Sequence, residues 1–247
     1  MVYRIVIPAR YGSTRLPGKP LLPMAGKPMI QWVYERARRS RAQEVIIATD
    51  DERIAAVASG FGASVRMTAS THVSGTDRIA EVARREQWAH SDIVVNLQGD
   101  EPLMPASLID QTASLLYTYP SADMATLAVP IASVSAWQDP NVVKVVADLQ
   151  QRAMYFSRAP IPWIRDDSSN EIKARRHLGI YAYRVAALHR LAALAPSSLE
   201  TLEKLEQLRA LENGMDIRVA DALAAPGSDV NTAADVASVA ALLAAER

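Results

Sequence analysis

The stretch Ile5-Val6-Ile7-Pro8-Ala9-Arg10-Tyr11-Gly12-Ser13-Thr14-Arg15-Leu16-Pro17-Gly18-Lys19 runs from an apolar, β-branched strand pattern straight into a loop that carries three cations. Gly12, Ser13, Pro17 and Gly18 stand between or beside Arg10, Arg15 and Lys19, so the backbone can curl closely around a bound group. Backbone N–H groups of a glycine-bearing turn, with guanidinium forks and an ammonium beside them, suit a polyphosphate. A nucleoside triphosphate is the ligand class they suggest. A plainer reading stands beside it: a solvated basic loop whose Gly and Pro mark turns. No G-x-x-x-x-G-K-[ST] and no G-x-G-x-x-G follows the first strand, which excludes a P-loop and an ordinary dinucleotide fingerprint.

Outward from this strand, short β-branched runs alternate with helical patterns. Tyr3 to Ile7, Glu44 to Thr49, Ser64 to Met67 and Asp92 to Leu97 read as strands, and Pro28 to Arg39, Glu52 to Gly60 and Thr76 to Glu86 as helices. Pro28 suits a first helical turn, and Gly60 or Gly62 a helix end. Repeated strand–helix–strand units predict an α/β fold with a mostly parallel sheet and helices on both faces. Ligands of such sheets lie beyond the carboxyl ends of the strands, where Arg10, Asp50 and Asp100 all fall. After about residue 130 the pattern changes to strands at Val142 to Ala147, Ala153 to Phe156 and His177 to Tyr183, with a charged loop around Arg165 to Lys173. No Gly/Ser linker or repeat divides the chain, so 1–247 is read as one domain.

At 247 residues and 49% apolar, the chain can bury a large core. Its 27 basic and 27 acidic side chains balance, which gives no general attraction to nucleic acid. No apolar run approaches the roughly 20 residues of a membrane span, and Met1 to Arg4 lead into a strand rather than a signal peptide, so a soluble protein without membrane insertion is expected. The absence of cysteine excludes disulfides, thiolate catalysis and cysteine-based zinc sites.

The opening loop resembles the P-A-R-x-G-S-x-R-L-P-G-K loop of cytidylyltransferases that activate acidic keto sugars, above all the bacterial 3-deoxy-manno-octulosonate (Kdo) cytidylyltransferases. The likeness continues through Gly26 to Gln31, Ala48 to Asp51, Ser74-Gly75-Thr76-Asp77-Arg78, Asn96-Leu97-Gln98-Gly99-Asp100-Glu101-Pro102, Tyr155 to Arg158, His177-Leu178-Gly179-Ile180-Tyr181-Ala182-Tyr183 and Leu205-Glu206-Gln207-Leu208-Arg209. It runs from Ile5 to about Asp235, and R-L-P-G-K and Q-G-D-E-P are its most specific words. It implies a nucleotide-diphospho-sugar-transferase-like (Rossmann-like) domain that transfers CMP from CTP to the anomeric 2-hydroxyl of Kdo, releasing pyrophosphate. It also implies a Mg²⁺ cofactor, a cytoplasmic enzyme serving lipopolysaccharide or capsule synthesis, and a homodimer paired through an arm within about 130–185 that also supplies part of the sugar site. An ordinary surface excursion is the other reading of that arm.

Charge gathers on bridging and leaving oxygens during such a transfer, so fixed cations and a hard metal ion are needed. Arg10, Arg15 and Lys19 supply cations. Ala9, Gly12 and Ser13 complete the loop, and Arg78 is a further nucleotide contact unless Asp77 only caps a helix and Arg78 pairs with Glu81. Asp100 is the metal candidate, against an Asx turn before Pro102. Gln98 shares its direction if the strand persists, and the resemblance assigns it to the sugar acid. His177 and Tyr181, four apart, would face one side of a strand, although a lone His is more often a structural group. Glu200, Glu203 and Glu206 recur with Leu199, Leu202, Leu205 and Leu208 on a predicted amphipathic helix with a solvated acidic edge. Only the L-E-Q-L-R match raises Glu206, and less so Glu203, to a sugar contact.

The tail departs from the family's G-V-D-T-P-E-D. Here Asp229-Val230-Asn231-Thr232-Ala233-Ala234-Asp235 puts Asn231 where a second metal carboxylate is expected. An amide oxygen can bind Mg²⁺ but brings no charge, so either Asp229 substitutes or the second ligand is dispensable or reached through water. Two rival functions remain: cytidylyl transfer to another acidic acceptor (a substituted octulosonate, a nonulosonate or a phosphonate), and a nucleotide-binding relative without catalysis.

Overall fold

The computed structural model describes residues 1–12, 16–165 and 173–246. In chain order its first half comprises β1 (Arg4–Ala9), a 3-10 turn at Lys19–Leu21, the small hairpin β2 (Pro23–Met24) and β3 (Lys27–Pro28), α1 (Met29–Arg38), β4 (Glu44–Thr49), α2 (Glu52–Gly60), β5 (Ser64–Met67), α3 (Gly75–Arg85), β6 (Ile93–Asn96) and α4 (Ala106–Thr118). The second half comprises β7 (Met124–Pro130), α5 (Val134–Gln138), β8 (Lys144–Ala147), β9 (Ala153–Ser157), β10 (Arg175–Arg184), α6 (Val185–Ala193), α7 (Ser198–Glu203), α8 (Gln207–Glu212), β11 (Ile217–Asp221) and α9 (Ala233–Ala245).

β1 lies inside the sheet because nearly every residue in it is buried, as parallel strands covered on both faces require. Alternation sends Ile5 and Ile7 to one face, against Ile30 and Val33 of α1, Ile54 of α2 and Leu108 of α4. Val6 goes to the other, with Ile79 of α3, Leu188 of α6 and Leu208 of α8. The strand order is β11-β7-β10-β6-β1-β4-β5. Six of these strands run one way, and β10 alone runs against them, antiparallel to both β6 and β7. The sheet is therefore mixed and mostly parallel with helices on both faces, as expected.

β7 and β11 were not anticipated. The first, Met-Ala-Thr-Leu-Ala-Val-Pro, is an apolar run of small residues in which periodicity does not separate strand from helix. The single helix expected across Leu199 to Leu208 is instead two short ones, since Lys204 adopts a left-handed conformation (φ 54°) between α7 and α8. Leu202 is exposed as a result, and the three glutamates go to three different partners. Of the expected charged loop around Arg165 to Lys173, residues 166–172 lie outside the described residues.

β10 outruns β6 at its start, where Arg175 and Arg176 stay paired with β7 and pair on the other side with β8, which pairs in turn with β9. Within this annex Lys144, the first residue of β8, is fully buried, and its ammonium donates to the carbonyl oxygens of Asp139 (2.9 Å), Val142 (2.6 Å) and Arg158 (2.6 Å). Three carbonyl dipoles, with no carboxylate in the set, hold the charge and tie the 139–142 turn to the end of β9. Replacing Lys144 with Met strips three buried oxygens of their donor and should lower the unfolding free energy by about 3 kcal/mol, read from urea denaturation midpoints.

Candidate active site

β1, β4 and β6 end side by side, and their exits open on a cleft of about 300 Å³. Gly99 lets the turn after β6 close tightly on β1, since a Cβ there would lie 3.0 Å from the Pro8 carbonyl oxygen. Ala9, Arg10, Lys19, Arg78, Gln98 and Asp100 of the expected set all line this cleft. Arg10 is exposed and has no ion-pair partner among the described residues. Lys19 Nζ meets Asp100 Oδ2 at 2.6 Å. Gly12 is exposed and does not line the cleft, while Ser13 and Arg15 lie outside the described residues.

Arg78 is buried (3% exposed) and its guanidinium is held by Asp50 at 3.1 Å and by the Thr68 hydroxyl. The alternative pairing with Glu81 is not made: Glu81 accepts from Ala69 N (2.9 Å) and Arg85 (3.3 Å) and meets His72 Nε2 at 2.5 Å. Helix α3 is capped by Ser74, with Ser74 Oγ accepting from Asp77 N and Asp77 Oδ2 accepting from Ser74 N, both at 3.1 Å. Asp77 thus caps the helix, and Arg78 is nonetheless aimed into the cleft.

A second cavity, of about 140 Å³, shares Gly75 and Gln98 with the first. Strand β6 stops at Asn96, yet Gln98 and Asp100 still meet on the cleft wall through the turn that follows. Tyr181 and Glu206 line the second cavity, joined by Thr76, Asn96 and Tyr183. Glu206 accepts from the Thr76 hydroxyl, and burial pushes its carboxyl above the usual range. The Tyr181 hydroxyl is buried without a hydrogen-bond partner among the described residues, and burial, with Tyr183 and Glu206 nearby, drives its pKa upward. His177 lines neither cavity and stands one ring further along β10, 5.2 Å from Tyr181 between centroids and edge-on to Phe156 at 5.0 Å. Burial, then Arg176, lowers its pKa to about 3, so the ring is neutral.

Glu203 does not join them. Its carboxylate accepts from Ser157 Oγ (2.6 Å) and Arg158 N (2.8 Å), a latch between α7 and β9. Glu200 pairs with Arg209 at 2.5 Å, so the solvated acidic edge read from the periodicity is absent.

The tail returns to the cleft where Val230 N donates to the Asp100 carbonyl oxygen at 3.0 Å. Asn231 Nδ2 donates to Asp229 Oδ2 at 2.5 Å, which places the two side chains together and leaves the amide oxygen as the donor open to a cation. Asp100, Asn231 and Asp229 are an oxygen-only set suited to a hard cation. Among the described residues no three His, Asp or Glu side chains form a cluster that could hold a metal ion. Glu101, beside Asp100 and Asp229, has a buried oxygen without a hydrogen-bond partner among the described residues, and burial with those two charges raises its pKa to about 8.

The cytidylyltransferase family model matches residues 4–217. The 3-deoxy-manno-octulosonate cytidylyltransferase of Pseudomonas fluorescens is 54% identical over 248 residues, 98% of either chain. That of Cellvibrio japonicus is 54% identical over 251 residues, again 98% of each. The chain belongs to the 3-deoxy-manno-octulosonate cytidylyltransferases. A solved CMP:2-keto-3-deoxy-manno-octonic acid synthetase complexed with CTP matches this member of the family with a TM-score of 0.92 and 44% identity, covering 100% of this chain and 99% of that one. A 4-diphosphocytidyl-2C-methyl-D-erythritol synthase, 14% identical with a TM-score of 0.64, shares the fold alone.

Several residues of this cytidylyltransferase site escaped the reading of its sequence. Tyr183 was discoverable, two positions beyond Tyr181 and so on the same strand face, as was Asn96, two before Gln98. Thr76 and His72 carried no such signal. The His177 shift yields a test of burial. Its pKa is about 3 when folded against about 6.5 when unfolded, so between these values only the unfolded chain takes up the proton. Stability due to a neutral His177 is therefore present above pH 6.5 and lost as pH falls toward 3. Relative to H177Q, the wild-type denaturation midpoint should drop between pH 7 and pH 5.

Proposed function

We propose that this cytidylyltransferase transfers CMP from CTP to the anomeric 2-hydroxyl of 3-deoxy-manno-octulosonate, giving CMP-Kdo and pyrophosphate. The observation that carries the reading is the pair of cavities meeting at Gln98 and Gly75, one rich in cations and the other in hydroxyl and carboxyl groups. The sugar oxygen bonds to the α-phosphorus as the bond to the bridging oxygen breaks, and negative charge collects on the departing pyrophosphate. Arg10 and Lys19, with Arg15 of the same loop, hold the triphosphate. Arg78, fixed by Asp50 and Thr68, adds positive charge that does not have to reorganise during the reaction. Gln98, Tyr181, Glu206 and His177 orient the sugar acid; the Gln98 amide binds its carboxylate without adding a negative charge that would repel it, and the His177 ring is neutral.

The oxygen set of Asp100, Asn231 and Asp229 fits Mg²⁺. When bound, that ion would neutralise phosphate charge beside the reacting centre. Asp229 is the carboxylate that makes good the charge Asn231 lacks. The excursion around 130–185, with exposed Trp163 beside Trp137, pairs two subunits in a homodimer. A CTP-consuming enzyme with no helix long and apolar enough to cross a membrane among its described residues suits the cytoplasm, and its product suits lipopolysaccharide or capsule assembly.

Pyrophosphate release from CTP tests the reading, with Mg²⁺ and then chelator, and with Kdo, sialic acid, a substituted octulosonate or a phosphonate as acceptor. Mg²⁺-dependent release with Kdo alone is expected. Release with another acceptor alone would reassign the sugar cavity, and none despite CTP binding would leave a binding protein. Asp100→Ala should lower kcat by about 100-fold or more. Asp229→Ala should raise, and Asn231→Asp lower, the Mg²⁺ concentration giving half-maximal rate; an unmoved requirement in Asp229→Ala would remove that residue from the metal set.

A further inference from the structure

β10 carries two more residues than β7 at the point where it passes the second cavity. His177 and Leu178 pair with Ala128 and Leu127, and the next pair is Tyr181 with Thr126, so Gly179 and Ile180 are the excess. Such an irregularity turns backbone carbonyls out of the ladder. The Thr126 hydroxyl, fully buried, reaches two of them: its Oγ1 lies 2.7 Å from the Ile180 carbonyl oxygen and 3.1 Å from that of Leu178. The same Oγ1 lies 3.0 Å from Nε2 of His177.

Hydrogen-bond polarity then decides the state of the imidazole. Carbonyl oxygens only accept, so the one hydroxyl proton of Thr126 is committed to them, and Oγ1 offers His177 only lone pairs. Nε2 must therefore donate, and in a neutral ring Nδ1 is left bare. Phe156 edge-on at 5.0 Å and Tyr181 at 5.2 Å flank the ring, and His177 N is tied to the Val143 carbonyl oxygen at 2.8 Å, so both plane and backbone are held. Nδ1 has no hydrogen-bond partner among the described residues.

We propose that Thr126 is a positioning residue that locks His177 as the Nε2–H tautomer and thereby presents Nδ1 as an acceptor for a hydroxyl of the sugar acid. The proposal rests on the placing of His177 at the sugar given above, and it adds a discriminating element: an acceptor at this point selects a donor group on the substrate. A methyl group or ether oxygen in the same position would leave Nδ1 unsatisfied.

Histidine-selective ¹⁵N labelling with long-range proton–nitrogen correlation spectra reads the tautomer directly, and H177Q identifies the signal. In the wild type, His177 should show a protonated Nε2 and a bare Nδ1. T126V removes the hydroxyl at similar volume and should replace the single tautomer with a mixture, whereas T126S should restore it. In parallel, T126V should raise the KM for Kdo about tenfold, the scale of one hydrogen bond, with the KM for CTP unchanged, and T126S should recover it.

A protonated Nδ1 in the wild type overturns the proposal, and that measurement does not depend on T126V folding. An unchanged His177 spectrum in T126V overturns it equally. A changed tautomer with an unchanged KM for Kdo upholds the lock and overturns the placing of His177 at the sugar, so the two failures are distinguishable.

Discussion

The contact between Lys19 and Asp100 draws together three distant parts of the chain. Lys19 belongs to the 3-10 turn after the opening loop, Asp100 to the turn after β6, and the tail docks on the same turn through Val230. The pair is partly exposed, so its contribution to stability is at most about 1 kcal/mol. Its weight is positional. Parallel pairing of β1 with β6 sets both exits at one edge, and Gly99 brings the second turn against Pro8, so a cation and an acid meet on one wall of the cleft.

The other half of the site depends on β10 running against its neighbours. An antiparallel strand inserted between β6 and β7 brings its aromatic face past the carboxyl end of β6, and Phe156, His177, Tyr181 and Tyr183 form a row of touching rings. Burial there acts in one direction on every titratable group: it disfavours charge, keeping His177 neutral and the Glu206 carboxyl raised. The first cavity does the opposite, since its Lys19 and Arg78 are paired with carboxylates. One cavity is thus prepared for charge and its neighbour for hydroxyls.

Much of this was legible in the residues. The early strands and helices were readable because β-branched runs and capped amphipathic helices carry strong local periodicity, and Glu44–Thr49, Ser64–Met67 and Glu52–Gly60 match to the residue. β7 escaped because Ala, Thr and Leu suit either structure, and the α7–α8 break because nothing local announces a left-handed lysine. Glu203 and Glu206 are indistinguishable by spacing. Their roles separate only when Ser157 and Arg158 arrive to take one and Thr76 the other.

By itself, then, the sequence determined the α/β alternation, the cationic loop after the first strand, and the words that align the chain with its family, because each is a short-range pattern in which residue type and local geometry coincide. Tertiary structure alone decided which partners each charged or hydroxyl group meets. Arg78 turns to Asp50 and Thr68 rather than Glu81, Asn231 lies against Asp229, and Thr126 sits beneath a strand irregularity where it sets the proton of His177. These are contacts between segments that the sheet order brings together, and spacing along the chain does not encode the register in which they meet.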